Sequence, residues 1–171
     1  MSELARETLD DRFGRLLKAN HASLTRLAAS YAANRSDRDD LLQEIAIALW
    51  RALPAFRGES SERTFLFRIA HNRCITHLAK KRDTVSLDAV RMDPEDPNAS
   101  SEAIVAEAQQ RCRFLRAVRE LSAIHREVLL LSLEGMDYGE IAAVVGISES
   151  NVGVRLNRAR QKLRTLLGEN S

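Results

Sequence analysis

No glycine or proline interrupts the chain between Gly58 and Pro94. Tight turns need those residues where φ is positive or fixed, so a long stretch without them leaves helix as the element that fits. The 171 residues hold only 7 Gly and 3 Pro, which excludes a collagenous chain and argues against a turn-rich β fold. The longest uninterrupted apolar run is Ile45–Trp50, far short of the ~20 residues a membrane span needs. Residues 1–13 mix Glu3, Arg6, Glu7, Asp10 and Asp11 with no apolar block, so no secretory leader is expected. Cys74 and Cys112 cannot make a disulfide framework and are expected as reduced thiols. The expectation is a soluble, cytoplasmic, all-α protein.

Apolar periodicity divides the chain. Leu9, Phe13, Leu16, Leu17, Leu24, Leu27, Ala28 and Tyr31 stand three, four or seven apart and predict an amphipathic helix within 6–33. Asp37 or Asp39 is expected to cap a second helix that ends before Pro54, with Leu41/Leu42, Ile45, Leu49 and Leu53 inward. A third helix is expected from about Ser60–Thr64 to Arg82, burying Leu66, Ile69, Ala70 and Leu78. From Asp83 to Ser100 the period disappears into a run containing Asp93, Pro94, Glu95, Asp96, Pro97 and Asn98. This reads as an acidic, flexible linker. Four short helices follow, capped by Ser101, Ser122, the capping box Asp137/Glu140, and Ser148, with Gly135 and Gly146 as stops and the last helix running to about Leu167. The predicted organisation is a helical bundle at 1–82, a linker at 83–100 and a second helical unit at 101–171.

A net charge of +2 conceals segregation. Residues 57–82 carry seven basic groups against Glu59 and Glu62, and residues 149–164 carry five against Glu149. Two basic patches on separate units suit two contacts with one polyanion, because neutralising phosphates releases counterions. A charged surface that serves solubility alone is the plainer alternative.

Within the second unit, Tyr138–Leu156 reads as a helix-turn-helix. Ala142 is small where the helices cross, Gly146 supplies a left-handed turn, and Val152 anchors the second helix. Leu156, Ala159 and Leu163 continue its buried stripe. Beside that stripe run Asn151, Arg155, Arg158 and Lys162. Asn pairs with adenine and Arg with guanine in a major groove. A generic helical hairpin with a solvated basic face would show the same spacing.

The first unit has two unusual surfaces. Outside its core face, the second helix carries Asp40, Gln43/Glu44, Ile47 and Arg51. An outward isoleucine among acids fits a protein interface or is a stray apolar residue. Residues 56–82 interleave Phe56, Phe65 and Phe67 with Arg57, Arg63, Arg68, Arg73, Lys80, Lys81 and Arg82, a composition that suits single strands, although Phe65 beside Leu66 and Ile69 reads as core. His71, Cys74 and His77 span six residues, about 240° of a helix, and cannot converge on one metal ion. No nucleophile–base pair, phosphate-binding glycine loop or carboxylate dyad is visible, so neither a cofactor nor an enzyme is expected.

These motifs resemble a known family. Asp37-Arg38-Asp39-Asp40-Leu41-Leu42-Gln43-Glu44-Ile45 resembles the "DAEDLVQEVF" signature of sigma factor region 2. Pro54-Ala55-Phe56-Arg57-Gly58 and Thr64-Phe65-Leu66-Phe67-Arg68-Ile69-Ala70-His71-Asn72 resemble the rest of that region. Arg126-Glu127-Val128, Glu140-Ile141-Ala142, Gly146-Ile147-Ser148 and Arg158-Ala159-Arg160 are similar to sigma region 4. With no domain between them, the chain resembles an extracytoplasmic-function (group 4) sigma factor of the sigma-70 family, over roughly residues 10–82 and 103–167.

The resemblance implies a transcription factor that binds core RNA polymerase, through its β′ clamp helices and β subunit, and promoter DNA. It implies that Asp40, Gln43, Glu44 and Ile47 meet the clamp helices. It implies that Arg57, Arg63, Arg68, His71, Asn72, Arg73, Lys80, Lys81 and Arg82 handle a flipped, single-stranded −10 element. Ser148, Ser150, Asn151, Arg155, Arg158 and Lys162 would read the −35 duplex. The linker would thread the RNA-exit path, and an anti-sigma factor would hold the protein inactive. The chain departs from the family where Phe65 replaces a usual Trp, where Thr76 and Ala79 replace a common Asp and Arg, and where Asn151-Val152-Gly153-Val154 replaces "TVKSR". Gly153 should loosen its helix by up to about 1 kcal/mol relative to Ala. Two rivals are an operator-binding regulator that works without polymerase and a sigma mimic that only sequesters an anti-sigma factor.

Overall fold

The computed structural model describes residues 7–83 and 102–168, except for the side chains of Arg82 and Asp83. Seven α-helices run through the described residues: α1 (Leu9–Tyr31), α2 (Arg35–Ala52), α3 (Glu62–Asp83), α4 (Glu102–Arg119), α5 (Ala123–Leu133), α6 (Tyr138–Val145) and α7 (Glu149–Leu167). The expected linker begins on Asp83, which closes α3; the rest of it and the expected Ser101 cap lie outside the described residues. No described helix is long and apolar enough to cross a membrane.

Local chemistry sets the helix ends. Thr8 and Asp11 form a reciprocal capping box at the start of α1, which begins at Leu9, the first residue of the apolar pattern. The cap of α2 is Asn34, whose side chain accepts from the Asp37 N–H at 2.9 Å. Asp37 and Asp39 are not its caps, a correction to the sequence reading. Asp37 instead accepts from the Ala33 N–H at 2.7 Å and pairs with Lys81 and with His77 on α3. Burial alone would raise Asp37, but those three partners outweigh it and its pKa is lowered. Pro54 sits in a short 3₁₀ turn, Leu53–Ala55, that ends α2. Ser122 precedes α5 with no capping hydrogen bond from its side chain, whereas the Asp137/Glu140 box and the Ser148 cap form as predicted.

Helices α1, α2 and α3 bury Leu24, Leu41, Ile45, Leu49, Leu53 and Leu66 against one another. Phe67 and Cys74 are fully buried with them, although neither stands in the predicted stripe of α3; Ile69 and Leu78 lie half-buried at its margin. Phe67 thereby leaves the group of aromatics available to bases. Phe56 and Phe65 stack at 4.6 Å over the end of α2. In the second half, α4, α5, α6 and α7 enclose Val118, Val128, Leu131, Ile141, Val152, Leu156 and Ala159.

The two groups of helices pack on each other. Helix α1 has no basic residue in its last turn. Its terminal carbonyls are met from the second group: Arg119 donates to Ala29 O at 2.7 Å and Ala32 O at 2.8 Å, and Arg126 to Ser30 O at 3.3 Å. Cations there oppose the negative end of the helix dipole. Beside them, Glu127 is wholly buried, accepts a hydrogen bond from the Tyr31 hydroxyl, and lies 3.1 Å from His71 Nδ1. At the rim, Glu134 accepts from Ser23 Oγ at 2.5 Å and from Arg26 Nε at 2.7 Å.

Arg26 holds the Glu134 carboxyl below its ordinary value of 4.5, with Ser23 adding to the effect against burial. Arg15, then Arg12, does the same to Glu62 across α1 and α3. Carboxyls lowered in the folded state bind fewer protons there than in the unfolded chain. Their stabilisation is therefore complete above the unfolded value and is lost as pH falls through the folded one. Urea unfolding should give stability that declines once pH drops below 4.5, and Glu62→Gln with Glu134→Gln should flatten that decline.

Candidate nucleic-acid interface

The turn between α6 and α7 is built as its sequence requires. Gly146 ends α6 in the left-handed region at φ 78°, with its N–H bonded to Ala142 O, and Ser148 then caps α7. Val152 and Leu156 anchor α7 in the core. Of the expected −35 residues, Ser148, Ser150, Asn151, Arg158 and Lys162 are exposed, and Arg155 is half-buried. They share one side of α7. Its C-terminal part borders a shallow cleft of about 440 Å³ lined by Ser122, His125, Arg158, Gln161 and Lys162, among others. Burial, then the neighbouring Arg155 and Arg158, lowers the pKa of His125. The surface is thus a cationic ridge on the helix that a groove would receive.

Gly153 has a physical reason that its sequence position does not disclose. A Cβ built there would stand 3.3 Å from Cε2 of Tyr138, whose ring crosses from α6 onto α7. The glycine makes room for the ring, and the close approach of two helices accompanies the loss of helix propensity.

The expected −10 residues do not form one open face. Arg57 is exposed in the loop that turns at Gly58, φ 78°. Asn72, Arg73 and Lys80 are exposed along α3, and Lys81 is bound to Asp37. Arg82's side chain lies outside the described residues. Three others turn to the second group of helices. Arg63 donates to Glu134 O at 2.6 Å while its guanidinium covers the Phe67 ring, Arg68 Nε donates to Ala143 O at 3.2 Å, and His71 faces Glu127. The interleaving of bases and aromatics in the sequence therefore resolves into two environments, one solvent-facing and one at a packed seam.

On α2, Asp40, Gln43 and Ile47 are exposed and Glu44 is half-buried, so the four lie on the outward side of the helix. Trp50, 41% exposed, extends this side one turn further and meets Phe13 edge-on at 5.1 Å. Sequence reasoning passed over Trp50, although its position three residues after Ile47 carries the signal.

Known proteins share this organisation. The model of sigma-70 region 2 matches residues 16–84, and that of sigma-70 region 4 matches residues 113–163. The RNA polymerase sigma factor NccH of Alcaligenes xylosoxydans xylosoxydans is 32% identical over 161 residues, covering 91% of this chain and 86% of that protein. The ECF RNA polymerase sigma factor SigM of Mycobacterium tuberculosis is 31% identical over 169 residues, covering 96% and 83%. Among solved structures, the chain is similar to the sigma factor RpoE in complex with the anti-sigma factor NepR from Bartonella quintana. That likeness has a TM-score of 0.73 at 25% identity and covers 94% of this chain and 99% of that one. It is also similar to CnrH in complex with the cytosolic domain of CnrY, with a TM-score of 0.68 at 28% identity and coverage of 93% and 89%.

The two glycines predict opposite outcomes. Gly146→Ala meets no neighbour but must keep a positive φ, so it should cost about 1–2 kcal/mol. Gly153→Ala should stabilise by up to about 1 kcal/mol, because the surface ring of Tyr138 can yield a few tenths of an ångström. Urea titrations followed by circular dichroism measure both; destabilisation by Gly153→Ala would mean that the ring is fixed.

Proposed function

Because this chain belongs to the sigma-70 family, among its extracytoplasmic-function members, we propose that it binds core RNA polymerase, recognises −10 and −35 promoter elements and directs transcription initiation without catalysis of its own. The observation that carries the reading is the pairing, in one chain, of an outward acidic-apolar ridge on α2 with an exposed basic stripe on a helix-turn-helix.

Each surface has a task suited to its chemistry. Asp40, Gln43, Glu44 and Ile47 dock on the β′ clamp helices, where a central apolar residue is desolvated and a polar rim fixes orientation. Trp50 enlarges that contact. Helix α7 enters the −35 major groove N-terminus first, with Ser148, Ser150 and Asn151 nearest the bases and Arg155, Arg158 and Lys162 following the groove. The loop containing Arg57 and the basic residues of α3 take up the melted −10 strand. Phosphate contacts position that strand, and an extruded base recovers part of the stacking energy lost on melting. Activity requires the compartment that holds the polymerase, the cytoplasm. The structural relatives held by anti-sigma partners support the expectation that an anti-sigma factor restrains this chain as well.

Size-exclusion co-elution with core polymerase tests the first contact: the chain should co-elute, and Asp40→Ala/Gln43→Ala/Glu44→Ala should not. Arg155→Ala or Arg158→Ala should weaken promoter binding by the holoenzyme by about 1–3 kcal/mol while leaving co-elution intact. A folded chain that never meets polymerase would overturn the reading.

A further inference from the structure

Helix α7 carries one exposed residue whose chemistry the basic stripe does not account for. Val154 is 48% exposed, and among the described residues it is the only apolar side chain of α7 left so. Val152, Leu156, Ala159 and Leu163 mark the core-facing stripe of the helix. At 3.6 residues per turn, Val154 stands about 170° from the centre of that stripe, almost opposite the core. It lies three residues after Asn151 and four before Arg158, so the three share one row on the outward face. Of its four neighbours a turn away, Ser150, Asn151, Asn157 and Arg158, all are exposed and polar and the first three are short.

A β-branched residue at this position does not serve the helix. Valine has a lower helix propensity than alanine, and no packing against the core offsets the difference. The motif "TVKSR" has serine at this place, so the apolar group is a departure that solubility does not call for either. A lone apolar residue on a surface is commonplace. What singles this one out is its place between two residues proposed to read bases. The apolar atom that a major groove offers is the C5 methyl of thymine, because the other three bases turn hydrogen-bonding groups or a bare C–H outward there.

We propose that Val154 is a specificity-determining residue that packs on a thymine methyl group in the −35 major groove. The proposal deepens the −35 reading and rests on it. Residues three and four apart on a helix rise about 4.5 and 6 Å, against roughly 3.4 Å per base pair. The thymine therefore belongs to a pair next to the one that Asn151 reaches, on the side towards Arg158. Asn151 and Arg158 supply hydrogen bonds to their own bases, and Val154 selects by apolar contact. A cytosine in the thymine's place would set its amino donor against the isopropyl group and leave it unpaired.

The test uses holoenzyme formed with core polymerase and duplex probes that carry a randomised −35 segment. Sequencing of the bound fraction should show a fixed A·T pair for the wild type. Replacing the thymine of that pair by deoxyuridine, which lacks only the methyl group, should weaken binding about three- to fourfold, the weight of one buried methyl group. Val154→Ala should lose most of the preference at that pair, keep the preferences at the others, and bind the thymine and deoxyuridine probes within about twofold of each other. Val154→Thr, which keeps a methyl group, should retain part of the discrimination. Circular dichroism and polymerase co-elution should be unchanged in both variants. A deoxyuridine penalty as large in Val154→Ala as in the wild type belongs to the DNA and overturns the proposal. A selected motif with no methyl-dependent pair overturns it too, as does a Val154→Ala protein that keeps its base preferences but loses polymerase. Co-elution separates the two levels. A holoenzyme that forms but shows no methyl dependence removes this contact alone, whereas a folded chain that never co-elutes removes the sigma reading. The same probes with the chain by itself then decide the contact: methyl-dependent binding upholds it for a regulator that works without polymerase, and its absence removes both.

Discussion

The carbonyl end of α1 is where the two halves of the molecule become one. Helix α1 ends without a cation of its own, and its last turn is answered by Arg119 and Arg126 from the other half. Bringing two guanidiniums to that place carries a cost. Burial lowers the pKa of Arg126, and that of Arg119 is lowered by burial and then by Arg126 itself. Glu127 supplies the compensating charge, and Tyr31 lends both a hydroxyl to Glu127 and a ring face to Arg126 at 4.9 Å. Remove one member and another is left buried and unpaired, which is why such clusters act as units.

The cluster is only partly satisfied. Arg119 Nε and Nη1, Arg126 Nε and Glu127 Oε1 are buried and find no hydrogen-bond partner among the described residues. His71 Nδ1 is near enough to Glu127 for an ion pair but out of line for a hydrogen bond. Each buried polar atom left unmade costs about 1–3 kcal/mol. A seam of this kind specifies one docking geometry, because only that geometry brings these partners together.

Much of the architecture was legible in the sequence because it rests on local rules. The 3.6-residue period located α1, and the Asp137/Glu140 box, Gly146 and Ser148 located α6 and α7 within a residue. What the sequence concealed was long-range. Asp37 has the chemistry of a cap and stands near a helix start, yet Asn34 takes that role because Lys81 and His77, more than forty residues away in the chain or close to it, claim the carboxylate. Phe67 stands among basic residues and reads as exposed until the register of α3 turns it inward. Arg126 and Glu127 pass for an ordinary helical charge pair, since nothing near them in sequence shows that α1 will end against them. The ridge on α2 and the stripe on α7 were readable as faces; their use depends on partners that the sequence does not contain.

The basic residues of α3 divide between solvent and the seam, a division that their spacing in the sequence does not show. Arg63 and Arg68 donate to carbonyl oxygens of the second group of helices, at 2.6 and 3.2 Å. Because the guanidinium donor is ionised, each of these bonds is charge-assisted and stronger than a bond between two neutral groups. The carbonyls of Glu134 and Ala143 thus give the guanidiniums of Arg63 and Arg68 charge-assisted acceptors at the seam, which ties α3 to the second group of helices.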